Sequence, residues 1–187
     1  MANHDVKYTT PGLKIKDAQQ VIELLQNRLH CYNDLQLTLK HVHWNVVGPH
    51  FIAVHQMLDP HVDEVRAMVD ATAERIATLG GSPKGTPGRL VAERTWKDYK
   101  IGRATTQDHL AELDLVYRGI IADTRSAIEK LDTLDPVTQD MIIGDAQKLE
   151  LFHWFVRAHL EDPTGRLTTA DGSKSAAVRN TIKRAKR

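Results

Sequence analysis

The chain has little that would staple it together or anchor it. It contains one cysteine, Cys31, among 187 residues, so no intrachain disulfide can form and nothing points to an oxidising compartment. No apolar run approaches the roughly 18 residues that a membrane span needs. The opening MANHDVKYTTPG lacks the apolar segment of a secretory leader. These absences give the expectation of a cytoplasmic protein without a membrane partner. No stretch reads as a strand, and no internal repeat is visible. Net charge is nearly absent as well, at +1, but that figure hides an asymmetry. Of the 25 basic and 24 acidic residues, seven Lys or Arg and only Asp171 fall in 163–187, a local charge of +6. The remaining 18 basic and 23 acidic residues leave the body at −5.

What is present is helical periodicity. Val21, Leu24, Leu25, Cys31, Tyr32, Leu35, Leu39 and Val42 recur at three and four. That spacing predicts an amphipathic helix over about 16–46, stopped by Val47-Gly48-Pro49. A second helix is expected over about 52–79 on the stripe Leu58, Val62, Val65, Val69, Ala73 and Ile76, ending at Gly80-Gly81. Pro60 removes a helix hydrogen bond and disfavours helical geometry at Asp59, which predicts a kink or a late helix start there. A long connection follows, GGSPKGTPG and then RTWKDYK, the latter with one or two helical turns. The third helix is expected over 104–131, and the fourth from the Asp135-Pro136 cap to about Leu160. The fold class is therefore all-α: a four-helix bundle with a long crossover between helices 2 and 3 carrying a short extra helix, the ferritin-like arrangement. The domain reading is a flexible arm over 1–15, the bundle over 16–162, and a basic disordered tail over 163–187.

Chemistry concentrates between His43 and Glu74. His43 lies in HVHWN, His55 and Asp59 in VHQMLD, and Asp70 and Glu74 in DATAE. Two His and three carboxylates form a donor set suited to iron or a similar divalent metal. The pairs His55/Asp59 and Asp70/Glu74 are each four apart, so their members meet on one helix face. From Asp59 to Asp70 is eleven steps of about 100°, or roughly 20° after whole turns, which puts all four on one side of the helix. They cannot share one ion within one chain, because Asp59 and Asp70 lie roughly 16 Å apart along the axis. Either these are two unrelated half-sites, or a second copy of the helix crosses antiparallel and completes two equivalent sites about a two-fold axis.

The stretch KHVHWNVVGPHFIAVHQMLDPHVDEVRAMVDATAERIATLGG resembles the ferroxidase signature of the Dps family, the miniature ferritins of stressed or starved bacteria. The resemblance rests on HWN, F-x-x-x-H, H-x-x-x-D and D-x-x-x-E-R at the family's spacing, and extends more weakly over 13–162 to the HWF of the fourth helix. Gln56 stands where many members have Glu, and Pro60 where Gly is frequent. The resemblance implies an iron site between two-fold-related subunits, with His43, His55 and Asp59 from one chain facing Asp70 and Glu74 of the other. It also implies Fe(II) oxidation with hydrogen peroxide, storage of ferric oxide in a hollow shell of twelve subunits, and protection of DNA. Trp44 would sit beside the metal as an oxidisable ring; its plainer reading is packing at a helix end or a subunit contact. Asp135 and Asp140 would line an iron-entry pore, whereas Asp145 reads as ordinary surface charge at a helix start.

Two further features remain. Glu150-Leu-Phe-His153 is an E-x-x-H, the pattern of di-iron sites inside one bundle. Its required counterpart is missing, since the third helix offers only His109 through Asp114 in the wrong order. In the tail, Lys174, Arg179, Lys183, Arg184, Lys186 and Arg187 suit sequence-independent phosphate binding, and DNA is the expected partner. The competing reading is a non-enzymatic, nucleoid-compacting protein whose metal site merely stabilises a dimer.

Overall fold

The computed structural model describes residues 6–168 and, in backbone, the two-residue strand at 174 and 175. Helix α1 spans Ile15–Asn45 and α2 spans Phe51–Thr78, with β1, Val46–Val47, between them. Helix α3, Pro87–Glu93, sits in the crossover, and β2, Ala104–Thr105, precedes α4, Thr106–Leu131. Helix α5, Pro136–Leu160, completes the bundle, followed by β3, Leu167–Thr168, and β4, Lys174–Ser175. The ends of α4 and α5 are capped as their residue types dictate. Thr105 and Asp108 form a reciprocal capping box, and the Asp135 side chain accepts from the Val137 amide with Pro136 at the first helical position.

The parallel pairing of Val46 with Ala104 and Val47 with Thr105 fixes the topology. It places the start of α4 beside the end of α1, so the crossover must travel the length of the bundle from the far end of α2. Helix α1 carries a polar stripe that holds this crossover down. Gln26 exchanges two hydrogen bonds with the Lys84 backbone at 2.9 and 3.1 Å, and His30 bonds the Lys84 carbonyl at 2.9 Å. Asp34 accepts from the Trp96 indole at 2.6 Å and from Arg94 at 3.3 Å. His41 bonds the Ile101 carbonyl at 2.7 Å.

The core divides into two apolar clusters. One gathers Leu35, Leu39, Leu58, Val62, Leu113, Tyr117 and Val156. The other gathers Val21, Ile22, Leu25, Leu29, Ile76, Leu131 and Ile142. Where one gives way to the other, each long helix contributes polar groups. Arg28 of α1 donates to Thr124 of α4 at 3.0 Å, Thr72 comes from α2, and Tyr32 of α1 faces Asp145 of α5. The Tyr32 hydroxyl and one Asp145 oxygen are buried and face each other without closing a hydrogen bond of normal length.

Several sequence expectations are corrected. Helix α2 starts at Phe51 and runs through Pro60 without a late start. Pro60 and Gln56 are both exposed, so water can satisfy the carbonyl that loses its donor. The extra helix is Pro87–Glu93, which starts with Pro87 at its first turn after Thr86, and not RTWKDYK, whose Trp96 is pinned on Asp34 in non-helical chain. The arm is not free from residue 6 onward: Val6 is 6% exposed and packs in the second cluster. The tail is not structureless directly after α5. Glu161 bridges to Leu167, and β3 pairs antiparallel with β4. Residues 1–5 of the expected arm, and Arg179, Lys183, Arg184, Lys186 and Arg187 of the expected DNA-binding tail, lie outside the described residues.

Candidate metal half-site at the junction of the first two helices

The tight turn from α1 into α2 brings His43 and His55 face to face. Gly48 at φ +97 and His50 at φ +66 both sit in the left-handed region that reverses the chain there. The two imidazoles stack with centroids 3.6 Å apart and planes 25° off parallel. Their hydrogen bonds are reciprocal: His43 Nδ1 donates to the His55 carbonyl and His55 Nδ1 to the His43 carbonyl, each at 2.9 Å. A carbonyl can only accept, so both rings carry their proton on Nδ1. Each Nε2 has no partner among the described residues and is the nitrogen left to face a metal, the arrangement that a metal-ligating histidine needs.

Asp59 lies on the Nδ1 side of this pair. Its Oδ1 is 3.4 Å from His43 Nδ1 and accepts from Lys40 Nζ at 2.7 Å. That hydrogen bond from Lys40 holds the Asp59 carboxyl below its ordinary range. Lys40 was not singled out in the sequence; its place one turn before His43 is the only signal for it. Asp70 and Glu74 are exposed further along α2 and form no ion pair among the described residues. No three His, Cys, Asp or Glu side chains among the described residues come close enough to enclose a metal ion. The geometry therefore pairs His43 with His55, sets Asp59 beside them, and leaves Asp70 and Glu74 apart, as the axial spacing requires.

The whole chain can now be set against known proteins. The Ferritin family, described as a ferritin-like domain, matches residues 22–164. The DNA protection during starvation protein of Mycolicibacterium smegmatis is 62% identical over 161 residues, covering 86% of this chain and 88% of that one. A solved structure of Mycobacterium smegmatis Dps superposes with a TM-score of 0.86 at 62% identity, covering 87% of this chain and 98% of that one. This chain belongs to the Dps family. A more distant member, Dps from Microbacterium arborescens in its high iron form, still gives a TM-score of 0.76 at 30% identity, over 83% of this chain and 100% of that one.

Within this Dps fold the other candidate residues separate clearly. Trp44, next to His43, is 72% exposed, so it is not packed among the described residues of its own chain. Leu37, Phe51 and Ile52 are also exposed, and the Phe51 ring lies 5.0 Å from the His55 ring. The E-x-x-H motif is split between unrelated partners, Glu150 on Arg125 at 2.7 Å and His153 on Asp114 at 2.8 Å, so it holds no ion. Asp135 is only 5% exposed, with its carboxylate taken by Arg75 at 2.7 Å and by the Thr138 hydroxyl. Burial alone would raise its pKa, but the hydrogen bonds from Thr138 and Arg75 outweigh it and hold the carboxyl below the ordinary range. In one chain, then, Asp135 anchors the start of α5, while Asp140 is exposed one turn on. Asp145 is not ordinary surface charge. Burial raises its carboxyl to about 6. Lys174 falls in β4, ahead of the rest of the basic tail.

Proposed function

We propose that this Dps is an intersubunit ferroxidase that oxidises Fe(II), with hydrogen peroxide as the oxidant, and stores the ferric product within a twelve-subunit shell. The observation that carries this reading is the reciprocal histidine pair: each Nδ1 is taken by the other's carbonyl, each Nε2 has no partner among the described residues, and Asp59 beside them does not complete a three-residue metal site among those residues. A two-fold-related copy of α2 would bring Asp70 and Glu74 of the partner subunit against His43, His55 and Asp59. Iron is the substrate here, not a resident cofactor. The neutral imidazoles admit Fe(II), and the carboxylates stabilise the higher charge of Fe(III). Asp59 would have to exchange its Lys40 partner for the ion. Trp44, exposed beside the pair, is positioned to give up an electron to stray one-electron oxidants, and Asp140 is the carboxylate better placed than Asp135 to guide iron into the shell.

The double variant His43→Ala and His55→Ala is expected to abolish fast peroxide-dependent Fe(II) oxidation while sedimenting as the parent does. Unchanged oxidation kinetics would overturn the site. DNA protection would follow from consuming iron and peroxide together, and from nucleoid association through Lys174, Arg179, Lys183, Arg184, Lys186 and Arg187. A single tail binds phosphates weakly, and many tails on one shell bind by avidity. Truncation after Ser175 keeps the β3–β4 pairing and removes five of these cations. It is expected to lose DNA retardation at low salt and to retain full iron oxidation. Retained retardation would assign DNA binding elsewhere, and the separate fates of the two activities decide between an enzyme and a purely compacting protein.

A further inference from the structure

Between α1 and α4, beside the crossover, lies a cavity of about 340 Å³ that no residue of α2 or α5 lines. That volume falls within the range of small-molecule pockets. Cys31 and Thr38 of α1 stand on one wall, and Val116, Gly119 and Ile120 of α4 on the other. Trp96 and Tyr99 of the crossover complete the lining. Both rings are fixed by their polar ends: the Trp96 indole donates to Asp34 at 2.6 Å, and the Tyr99 hydroxyl bonds His109 Nδ1 at 2.9 Å. Cys31 is 2% exposed, and burial pushes its thiol up to about 11. It is therefore a neutral, apolar piece of wall and not a nucleophile.

Imperfect packing does not account for this space. Gly119 lies in the middle of α4, where glycine costs helix stability, yet a Cβ added there would meet nothing within 4 Å. The polar lining is also unspent. Four carboxylates line the cavity against one cation, Lys97. Three of them are engaged: Asp34 with Trp96 and Arg94, Asp98 with Arg94 at 3.0 Å, and Asp123 at 3.7 Å from Arg28. Glu112 is half-buried and forms no ion pair or hydrogen bond among the described residues. Burial and then the Glu112 charge raise the pKa of the Tyr99 hydroxyl, which places the free carboxylate near that ring. Thr38 is 8% exposed, and its hydroxyl has no hydrogen-bond partner among the described residues. Val46 pairs with Ala104. Thr38, eight residues before the one, and Glu112, eight after the other, therefore lie at one level of the two helices. Partnerless polar groups on a buried threonine and a half-buried glutamate are what a ligand would satisfy.

We propose that this cavity binds a small protonated amine carrying a single ring. The ring would lie among Trp96, Tyr99, Val116 and Ile120, where burial against aromatic and aliphatic groups favours it. The ammonium would donate to the Glu112 carboxylate and the Thr38 hydroxyl, a charge-assisted pairing. A primary amine carries its charge at neutral pH, whereas an anion of the same shape would meet the carboxylates. The site stands apart from the metal half-site, whose carboxylates all lie on α2, and it does not rest on the ferroxidase reading.

The test is a ligand-observed NMR titration of the full-length, iron-free protein with 2-phenylethylamine and, as its anionic counterpart, 3-phenylpropionate. The amine should bind saturably and at least about tenfold tighter than the acid. Glu112→Gln, which keeps the shape of the side chain, should weaken the amine by about tenfold or more and erase its advantage over the acid. Thr38→Val should weaken it by about threefold. Gly119→Leu should block the cavity and abolish binding while melting no lower than the parent. A parent that binds neither compound or both alike overturns the site. So does a Glu112→Gln, Thr38→Val or Gly119→Leu protein that binds the amine as the parent does, and Glu112→Gln decides the matter if Gly119→Leu folds poorly.

Discussion

Replacing Asp145 by Asn should stabilise this protein at neutral pH, although it removes a charge from the middle of a helix. Asp145 faces the Tyr32 hydroxyl in the polar layer between the two core clusters, and burial raises its carboxyl from the ordinary 3.8 to about 6. The folded chain therefore binds this proton more tightly than the unfolded chain does. The resulting stabilisation is fully present below 3.8 and is lost as pH rises through about 6. At pH 7 the folded state holds a largely buried carboxylate. Two pH units at about 1.4 kcal/mol each put its cost at about 3 kcal/mol. Asparagine keeps the shape, can still face Tyr32, and carries no charge. Asp145→Asn should thus exceed the parent by up to about 3 kcal/mol at pH 7, with the advantage shrinking to under about 1 kcal/mol at pH 4. Guanidinium midpoints followed by helical circular dichroism, at one protomer concentration and both pH values, measure the difference. Other titrating groups cancel in the comparison. An advantage that does not change with pH, or a variant that is weaker at pH 7 than at pH 4 relative to the parent, would refute the reasoning.

Gly80→Ala should detach the N-terminal segment. Gly80 has φ +87, and a Cβ there would lie 2.0 Å from the Tyr8 carbonyl oxygen. The variant is expected to lose about 1–2 kcal/mol and to be cut by protease near Tyr8 faster than the parent; an unchanged digestion pattern would contradict the docked arm. Glu150→Gln should leave iron oxidation at the parental rate, since Glu150 serves Arg125. A large loss of rate would revive the site inside the bundle.

Much of the architecture was legible because it depends on local rules. A 3.6-residue apolar period, Gly-Gly and Gly-Pro stops, and an Asp-Pro cap are properties of short stretches, and they placed the four long helices within a residue or two. The axial rise of a helix also showed, without coordinates, that Asp59 and Asp70 cannot share an ion in one chain. Other features depend on which helices become neighbours. The stripe Gln26, His30, Asp34 and His41 reads as ordinary polar surface until a crossover lies across it. The same crossover draws Trp96 out of a helix, because its indole finds Asp34. Asp145 looked like surface charge at a helix start, and only the packing of four helices around it raises its pKa. His43 and His55 were visible as candidates from their spacing. That each fixes the tautomer of the other follows from a turn that stacks the rings and aims each Nδ1 at the other's carbonyl. The sequence by itself determined the helices, their order and the donor set. The tertiary structure alone decided which polar groups are spent on holding the fold and which remain free for chemistry, because that division depends on partners far apart in the chain.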